Sequence, residues 1–495
     1  MTKIPVKFQA VAVPQDIRPT DEQAAIIGAA RTGKDLVVVA GAGSGKTSTQ
    51  RMIGHALSPR RGYYIAYNKA IAGDAKGTFP SNVNCSTAHS LAFRAVGFKY
   101  QARLTDSRVP SWRVAEILGM TGILLDEDEE KGEKFTRASL EPKHLATIAS
   151  DTVRDFCYSA DYTISEQHVP REAKLSRRQN KAVAERVLPY ARKIWDDVNL
   201  VDGGRMRFEH DHYLKMWHLS GVQFPADFIL LDEAQDANPV IAAIIKQQLN
   251  AQKILVGDPA QQIYAWRGAV DAMDDFEGKR LPLSMSFRFG QMIADEANLW
   301  LAKLGEFRIT GNPKVASTVV DELAFPRAIL CRTNAGALSE VILAQSGNLR
   351  VAMVGGGREL VSMARAAQQL QNNQPTSHRE LMLFRTWHEV QEFVQNERAG
   401  SDLRVFVNLI DTYGAEKVIN IVDSLVEETT ADVIVSTAHK SKGREWETVR
   451  VADDFARDPD DPNFKLPTEE IRLAYVTVTR AKLSLEPGGL NWIHN

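Results

Sequence analysis

The sequence predicts an α/β protein built on parallel sheets, and three observations carry that prediction. Short apolar runs rich in β-branched residues recur along the chain, as in Leu36–Val39 and Phe228–Leu231. Helical stretches such as Val240–Leu249 alternate with these runs, the order that parallel sheets require. Two long, polar, mainly helical segments, Phe98–Tyr213 and Ala364–Thr430, divide the runs into groups.

The first strand is read from DLVVVAGAGSGKTSTQRMIGHAL, a strand followed at once by a Gly-rich loop and a helix. Further strands fall in ADFILLDEAQD (Ala226–Asp236), QKILVGDPAQQ (Gln252–Gln262), PRAILCRTNAG (Pro326–Gly336), ADVIVSTAHKSKG (Ala431–Gly443) and ETVRVADDF (Glu447–Phe455). They cluster at Leu36–Tyr67, at Phe228–Leu255 and from Ala328 onward. The 495 residues are enough for more than one domain. The expected layout is a first core at 1–97 and 214–282, interrupted by a helical insertion at 98–213. A second core follows at 283–363 and 431–495, interrupted by a shorter helical insertion at 364–430.

Composition excludes several classes. Hydrophobic residues make up 44% and charged residues 25%, an ordinary globular balance. The formal net charge of −2 excludes a globally basic nucleic-acid coat but leaves room for a local basic groove. Cys85, Cys157 and Cys331 are scattered and odd in number, which argues against a disulfide framework, a zinc site or an iron–sulfur cluster. The opening MTKIPVKFQAVAVPQ is a poor signal peptide, and no apolar run approaches the ~20 residues that span a bilayer. A soluble, cytoplasmic protein is expected, from a bacterial or viral source.

Chemistry is signalled first by AGAGSGKT, Ala40–Thr47, which ends as a P-loop does. Its glycines let backbone N–H groups turn toward phosphate oxygens, and the helix that follows favours anions at its N-terminus. Lys46 would reach the β- and γ-phosphates and Thr47 would hold Mg2+. Ala40 stands where the general pattern begins with Gly. Asp232 and Glu233 end the run Phe228–Leu231. Beside a P-loop, such an Asp is expected to hold Mg2+ directly or through its hydration shell, and the Glu to orient or deprotonate the attacking water. Without the P-loop, the pair would read as acids favoured by a helix N-terminus.

TDEQ, AGAGSGKT, STAHS, LLDEAQD, VGDPAQQIYAWRGA, SFRFG, STAHKSKGREWETV and LAYVTVTRAK occur in that order between Thr20 and Lys482. In this order they resemble the motifs of UvrD/Rep-type superfamily 1 DNA helicases. SFRFG, TAHKSKGREW and VADDF are most similar to the F-box DNA helicase branch, here without the F-box. The resemblance implies two RecA-like P-loop parallel-sheet cores, each with a mainly helical insertion, and a DNA-dependent ATPase using ATP and Mg2+. It implies that Ala40, Gly41, Ala42, Gly43, Ser44, Gly45, Lys46 and Thr47 cradle the phosphates, and that Gln23 reads the adenine edge. Phe287 stands where the family usually stacks Tyr on the adenine. Gln261 would sense the γ-phosphate, Arg288 and Arg480 would clamp the transferring phosphoryl group, and Gly443 and Glu445 would touch the nucleotide. Tyr67, Asn68, His89, Tyr264 and Trp266 would meet single-stranded DNA. Ala66 replaces the usual Phe before Asn-Lys, with Tyr67 beside it, and Arg444 replaces the usual Leu after Lys-Gly.

The function implied is an ATP-dependent helicase moving 3′-to-5′ on single-stranded DNA, in repair, recombination or replication. The alternatives are a translocase that displaces proteins with little unwinding and a nucleotide-gated DNA-binding module. Outside these motifs, the basic stretch Arg171, Lys174, Arg177, Arg178 and Lys181 reads as a solvated helix face or a phosphate contact. The acidic run Asp126–Glu130 reads as a solvated loop, and Gly355–Gly357 as a turn. In VGDPAQQIYAWRGA, Gln261 and Trp266 would face different ligands, coupling ATP to the grip on DNA. Base stacking on an aromatic is worth ~1–3 kcal/mol and tolerates any sequence. Trp266→Ala should therefore weaken DNA stimulation of ATP hydrolysis more than it weakens ATP binding. Undiminished stimulation in that variant would remove the coupling role.

Overall fold

The computed structural model describes residues 18–105, 109, 111–130, 133–172, 175–263, 271–378, 380–382, 384–396, 401–455 and 466–494. Tyr264, Trp266 and Lys174 lie outside the described residues. The chain divides into two compact units. The first comprises the described parts of 1–39, 46–257 and 264–282, and the second those of 40–45, 258–263 and 283–495.

The first unit begins with α1 (Asp21–Ala30), whose start is fixed by a capping box between Thr20 and Gln23. A sheet follows, built from β1 (Leu36–Ala40), β2 (Gly62–Ala66) and β3 (Val83–Thr87), with α2 (Lys46–Ala56), α3 (Lys69–Lys76) and α4 (Ala88–Ala95) between and after them. The insertion holds α5 (Ser111–Leu118), α6 (Pro142–Tyr158), α7 (Arg177–Val198) and α8 (His210–Leu219). It also holds four short strands, β4 (Ile123–Leu125), β5 (Asp128–Glu130), β6 (Glu133–Phe135) and β7 (Ala138–Leu140), paired β4 with β7 and β5 with β6. The chain returns to the sheet through β8 (Phe228–Leu231), α9 (Pro239–Lys246), β9 (Gln252–Gly257) and β10 (Lys279–Leu283). The six strands run in the order β10-β1-β9-β8-β2-β3, and β1, β9, β8, β2 and β3 pair in parallel. Strand β8 is wholly apolar and buried, and β9 is so from Ile254 to Val256, as strands covered on both faces must be.

The acidic run Asp126–Glu130 is not the free loop its charge suggests. Its second half is β5, and Asp128 accepts from Ser176 Oγ at 2.5 Å while Glu130 accepts from Arg177 N at 2.9 Å. Carboxylates at the N-terminus of α7 satisfy amide donors that the helix cannot satisfy itself. One continuous core links the insertion to the sheet, with Leu145, Phe156 and Leu214 in the same cluster as Ile65, Leu231 and Leu255.

The second unit carries α10 (Gln291–Leu304), β11 (Thr318–Val319), β12 (Ala328–Cys331), α11 (Asn334–Ser346), β13 (Val351–Met353) and α12 (Arg358–Gln371). Helices α13 (Trp387–Asn396), α14 (Ser401–Tyr413) and α15 (Ala415–Asp423) come next, then β14 (Val433–Thr437), α16 (Ala438–Ser441), β15 (Trp446–Val451), α17 (Thr468–Val478) and β16 (Ala481–Glu486). Its six strands are all parallel, in the order β11-β16-β15-β12-β14-β13. Val390, Ile410 and Val418 from the helical insertion share a core with Ile329 and Val435 of the sheet. Two parallel-sheet α/β units are thus present, as the alternation of runs predicted.

The register of the first sheet depends on one close approach. Gly62 in β2 pairs with Phe228 in β8, and a Cβ on Gly62 would fall 2.2 Å from the buried Phe228 ring. Gly62→Ala should therefore destabilise the chain by about 1–3 kcal/mol through overpacking. Urea unfolding followed by tryptophan fluorescence would show the midpoint moving down.

Candidate nucleotide and nucleic-acid site

In the first unit, α2 begins at Lys46, directly after the Gly-rich loop. Lys46 Nζ lies 3.0 Å from Glu233 Oε2, at the end of β8. Glu233 holds a left-handed backbone (φ 49°, ψ 46°), a conformation that a non-glycine residue adopts at a penalty of ~1–3 kcal/mol. Gln235 Nε2 donates to the same carboxylate oxygen at 2.7 Å.

Asp232 is buried, and burial together with the Glu233 charge pushes its carboxyl above the ordinary range. Its two oxygens are held separately. Gln50 Nε2 donates to Oδ1 at 2.8 Å and the Tyr64 hydroxyl donates to Oδ2 at 2.5 Å. Gln23 is also buried; its Nε2 donates to Thr49 Oγ1 at 3.1 Å while its Oε1 accepts from Thr20 N at 3.0 Å.

A cavity of about 340 Å³ opens at the carboxyl ends of β2, β3 and β8. Tyr67, His89, Tyr158, Asp232, Glu233 and Asn238 are among its lining residues. It brings together four residues expected from sequence to have a function, Asp232, Glu233, Tyr67 and His89. Tyr67 is 52% exposed. His89 Nε2 lies 3.0 Å from Asp211 Oδ1, and the Tyr158 hydroxyl donates to Asp211 Oδ2 at 3.2 Å. Asn68 has a structural task, accepting from Ile71 N at 2.9 Å as the N-cap of α3.

In the second unit, the loop Ala40–Gly45 is a tight turn in which Gly43 and Gly45 have φ of 69° and 78°. A Cβ on Gly43 would lie 2.6 Å from Arg288 Cβ. Ala42 N donates to the Tyr475 hydroxyl at 2.9 Å, and Phe287 N donates to Gly43 O at 2.8 Å. The Phe287 side chain is 44% exposed. Gln261 is buried, with Nε2 donating to Asp258 Oδ2 at 2.5 Å, while Lys442 Nζ donates to Gln261 O at 2.5 Å. Arg288 donates to Glu445 Oε2 at 2.6 Å and to Thr479 O at 2.9 Å. Burial works to raise the Glu445 pKa, and the charges and hydrogen bonds of Arg288 and Lys482 together outweigh it and hold the carboxyl below its usual range. Arg480, 1% exposed, donates to Val476 O, Arg444 O and Thr479 Oγ1. Gly443 has φ of 80°.

The donor set suits Mg2+ bound with a nucleotide. Mg2+ takes hard oxygens and is usually held by one or two carboxylates plus substrate phosphates. Thr47 and Asp232 are such oxygens, and among the described residues no group of three or more His, Cys, Asp or Glu forms an all-protein cage. Among buried polar atoms, Gln50 Oε1 in the first unit and Ser44 Oγ in the second have no protein partner.

Comparison with known families settles the relationship. Residues 20–277 match the UvrD/REP helicase N-terminal domain, and residues 357–486 match the UvrD-like helicase C-terminal domain. The chain belongs to the UvrD/Rep helicase family. Among curated members, it is 30% identical over 498 residues to F-box DNA helicase protein 1 of Schizosaccharomyces pombe, covering 92% of this chain and 55% of that protein. It is 28% identical over 515 residues to F-box DNA helicase 1 of Gallus gallus, covering 95% of this chain and 49% of that protein. The chain thus spans about half the length of the curated relatives it matches. An arterivirus nonstructural protein 10 helicase structure is 12% identical with a TM-score of 0.31, covering 92% of this chain and 61% of that one; at that score it carries no argument. Among the described residues no helix is long and apolar enough to cross a membrane.

Tyr64, Gln50, Asp211 and Tyr475 were not singled out from sequence, yet each bonds to a candidate residue or its immediate neighbour. Only Gln50 had a legible signal, because it lies four residues after Lys46 and so on the same face of α2. The Lys46–Glu233 pair leads to a direct test. Lys46→Ala should lower ATP turnover at least about a hundredfold. Glu233 keeps its bond from Gln235 and is partly exposed, so the melting temperature should move by no more than a few degrees. Calorimetry beside a phosphate-release assay would check both.

Proposed function

We propose that the chain is an ATP- and Mg2+-dependent motor that moves 3′-to-5′ on single-stranded DNA. It would separate strands at single-strand/double-strand junctions, in repair, recombination or replication. The observation that carries this reading is the first-unit cavity, where Asp232 and Glu233 share a lining with Tyr67 and His89. Hydrolytic acids and a DNA-side ring in one cavity allow one ligand to bias the geometry felt by the other. Family membership supports the same reading, and the relatives' own names are those of DNA helicases.

The residue roles follow from charge and placement. Lys46 would neutralise phosphate oxygens, and Thr47 and Asp232 would hold the metal. Bound Mg2+ would draw charge off the phosphate oxygens as the terminal bond breaks. Glu233 would take a proton from the attacking water. Ala40–Gly45 would cradle phosphates, and Gln23 and Phe287 would contact the adenine. Gln261 would report the γ-phosphate, Arg288 and Arg480 would stabilise charge on the transferred group, and Gly443 and Glu445 would touch the nucleotide. Tyr67, Asn68, His89, Tyr264 and Trp266 would follow the DNA strand.

The test is ATP hydrolysis with and without single-stranded DNA, with Glu233→Gln as control. Strong DNA stimulation is expected, falling by about 10²-fold or more in Glu233→Gln. Binding of both ligands without turnover would make the chain a nucleotide-gated binding module instead. Stimulated turnover without strand separation would make it a translocase that displaces proteins.

A further inference from the structure

We infer that Tyr64 and Gln50 are positioning residues for the Mg2+–nucleotide complex, fixing the Asp232 carboxylate from its two sides. The inference rests on the proposed reading of Asp232 as a metal-holding residue.

Three features carry it. The first is geometric. The Tyr64 hydroxyl takes Oδ2 at 2.5 Å and Gln50 Nε2 takes Oδ1 at 2.8 Å, so the carboxylate can neither rotate nor tilt without breaking a bond. Both donors are themselves rigid. Tyr64 is fully buried in β2, with its ring centroid 4.5 Å from that of Phe79, and Gln50 is fully buried on α2, one turn past Lys46.

The second feature is chemical. A buried carboxylate that only had to be tolerated by the fold would be best paired with Arg or Lys. Here both bonded donors are neutral, and Lys46 is paired with Glu233. Neutral donors orient a carboxylate without cancelling its charge. Each oxygen also keeps a lone pair for a cation or for the water around it. The third feature is the amide of Gln50. Its Oε1 is buried with no protein partner, a penalty that an apolar side chain would avoid. The residue is placed for its N–H.

The same strand reaches the other ligand. β2 carries Tyr64 on Asp232 and runs directly into Ile65, Ala66 and Tyr67, which line the cavity with Asp232. A displacement of Tyr67 by a stacked base would be felt at the Tyr64 hydroxyl through a strand held by β3 and β8 on both sides.

The experiment is equilibrium binding of a fluorescent ATP analogue to the whole chain, titrated with Mg2+ after chelation with EDTA. Tyr64→Phe keeps the ring and removes the hydroxyl. It should raise the Mg2+ concentration giving half-maximal enhancement of binding by about tenfold, the weight of one hydrogen bond to a charged group. Affinity in EDTA should change less than twofold. Gln50→Met should shift the same midpoint in the same direction, and it stands as the test should Tyr64→Phe not fold. A Mg2+ midpoint equal to wild type in a folded variant, with only the melting temperature lowered, would overturn the inference and leave the two residues as packing. A wild-type chain that binds no nucleotide at all would instead overturn the underlying reading of Asp232.

Discussion

In a parallel sheet every strand ends on the same edge, and the rest of this molecule depends on that constraint. Residues far apart in sequence are collected wherever strands stop. In the first unit, β2 ends before Tyr67, β3 before His89 and β8 before Asp232, and the three ends surround one cavity. In the second unit, β12 ends before Arg332 and β15 ends shortly before Asp454. The Asp454 carboxylate accepts from Arg332 N at 2.8 Å and Thr333 N at 2.9 Å. Loops differ in sequence and length, but the edge they share is set by hydrogen bonding between strands alone.

Such an edge gathers charge that must be kept soluble within the fold. Desolvating a carboxylate is unfavourable by several kcal/mol unless it is bonded. The first unit handles its two acids differently. Asp232 is buried and bonded by two neutral donors, which orient its carboxyl and oppose the upward push of burial and the Glu233 charge on its pKa. Glu233 is partly exposed and paired with Lys46, in a backbone conformation that a β-strand continuing past Asp232 would not allow. The left-handed turn at Glu233 ends the strand and lets adjacent carboxylates diverge. Two neighbouring residues thus acquire distinct environments, the condition for two carboxyls of one motif to behave differently.

How much of this was legible follows from what is local. The strand, Gly-rich loop and helix around Ala40–Thr47 are consecutive, so β1 and α2 could be placed from sequence, as could β8 from Phe228–Leu231. The helix expected at Val240–Leu249 ends earlier, at Lys246, leaving Leu249 85% exposed. Apolar periodicity does not mark where a helix stops when the next turn is also apolar. Tyr64 was not legible, because its place beside Asp232 exists only once β2 lies next to β8, with Ile65 opposite Leu231. Asp211 reaches His89 across 122 residues of sequence, a relation that no local pattern encodes. The acidic run at Asp126–Glu130 misled for the same reason, since its partners at Ser176 and Arg177 arrive from a different helix.

The arginines of the second unit show two ways in which a cation can be held in place. Arg288 is countered by Glu445, whose carboxylate is 43% exposed. Arg288 itself is only 15% exposed, so the pair is screened by water from the carboxylate side alone. Arg480 is almost fully buried, yet its guanidinium is oriented by the carbonyls of Val476 and Arg444 and by the Thr479 hydroxyl. Carbonyl dipoles fix the direction of a guanidinium inside the fold. The two arginines therefore differ as the two acids do. One is matched by a half-exposed carboxylate, and the other is held within the fold by two carbonyls and a hydroxyl.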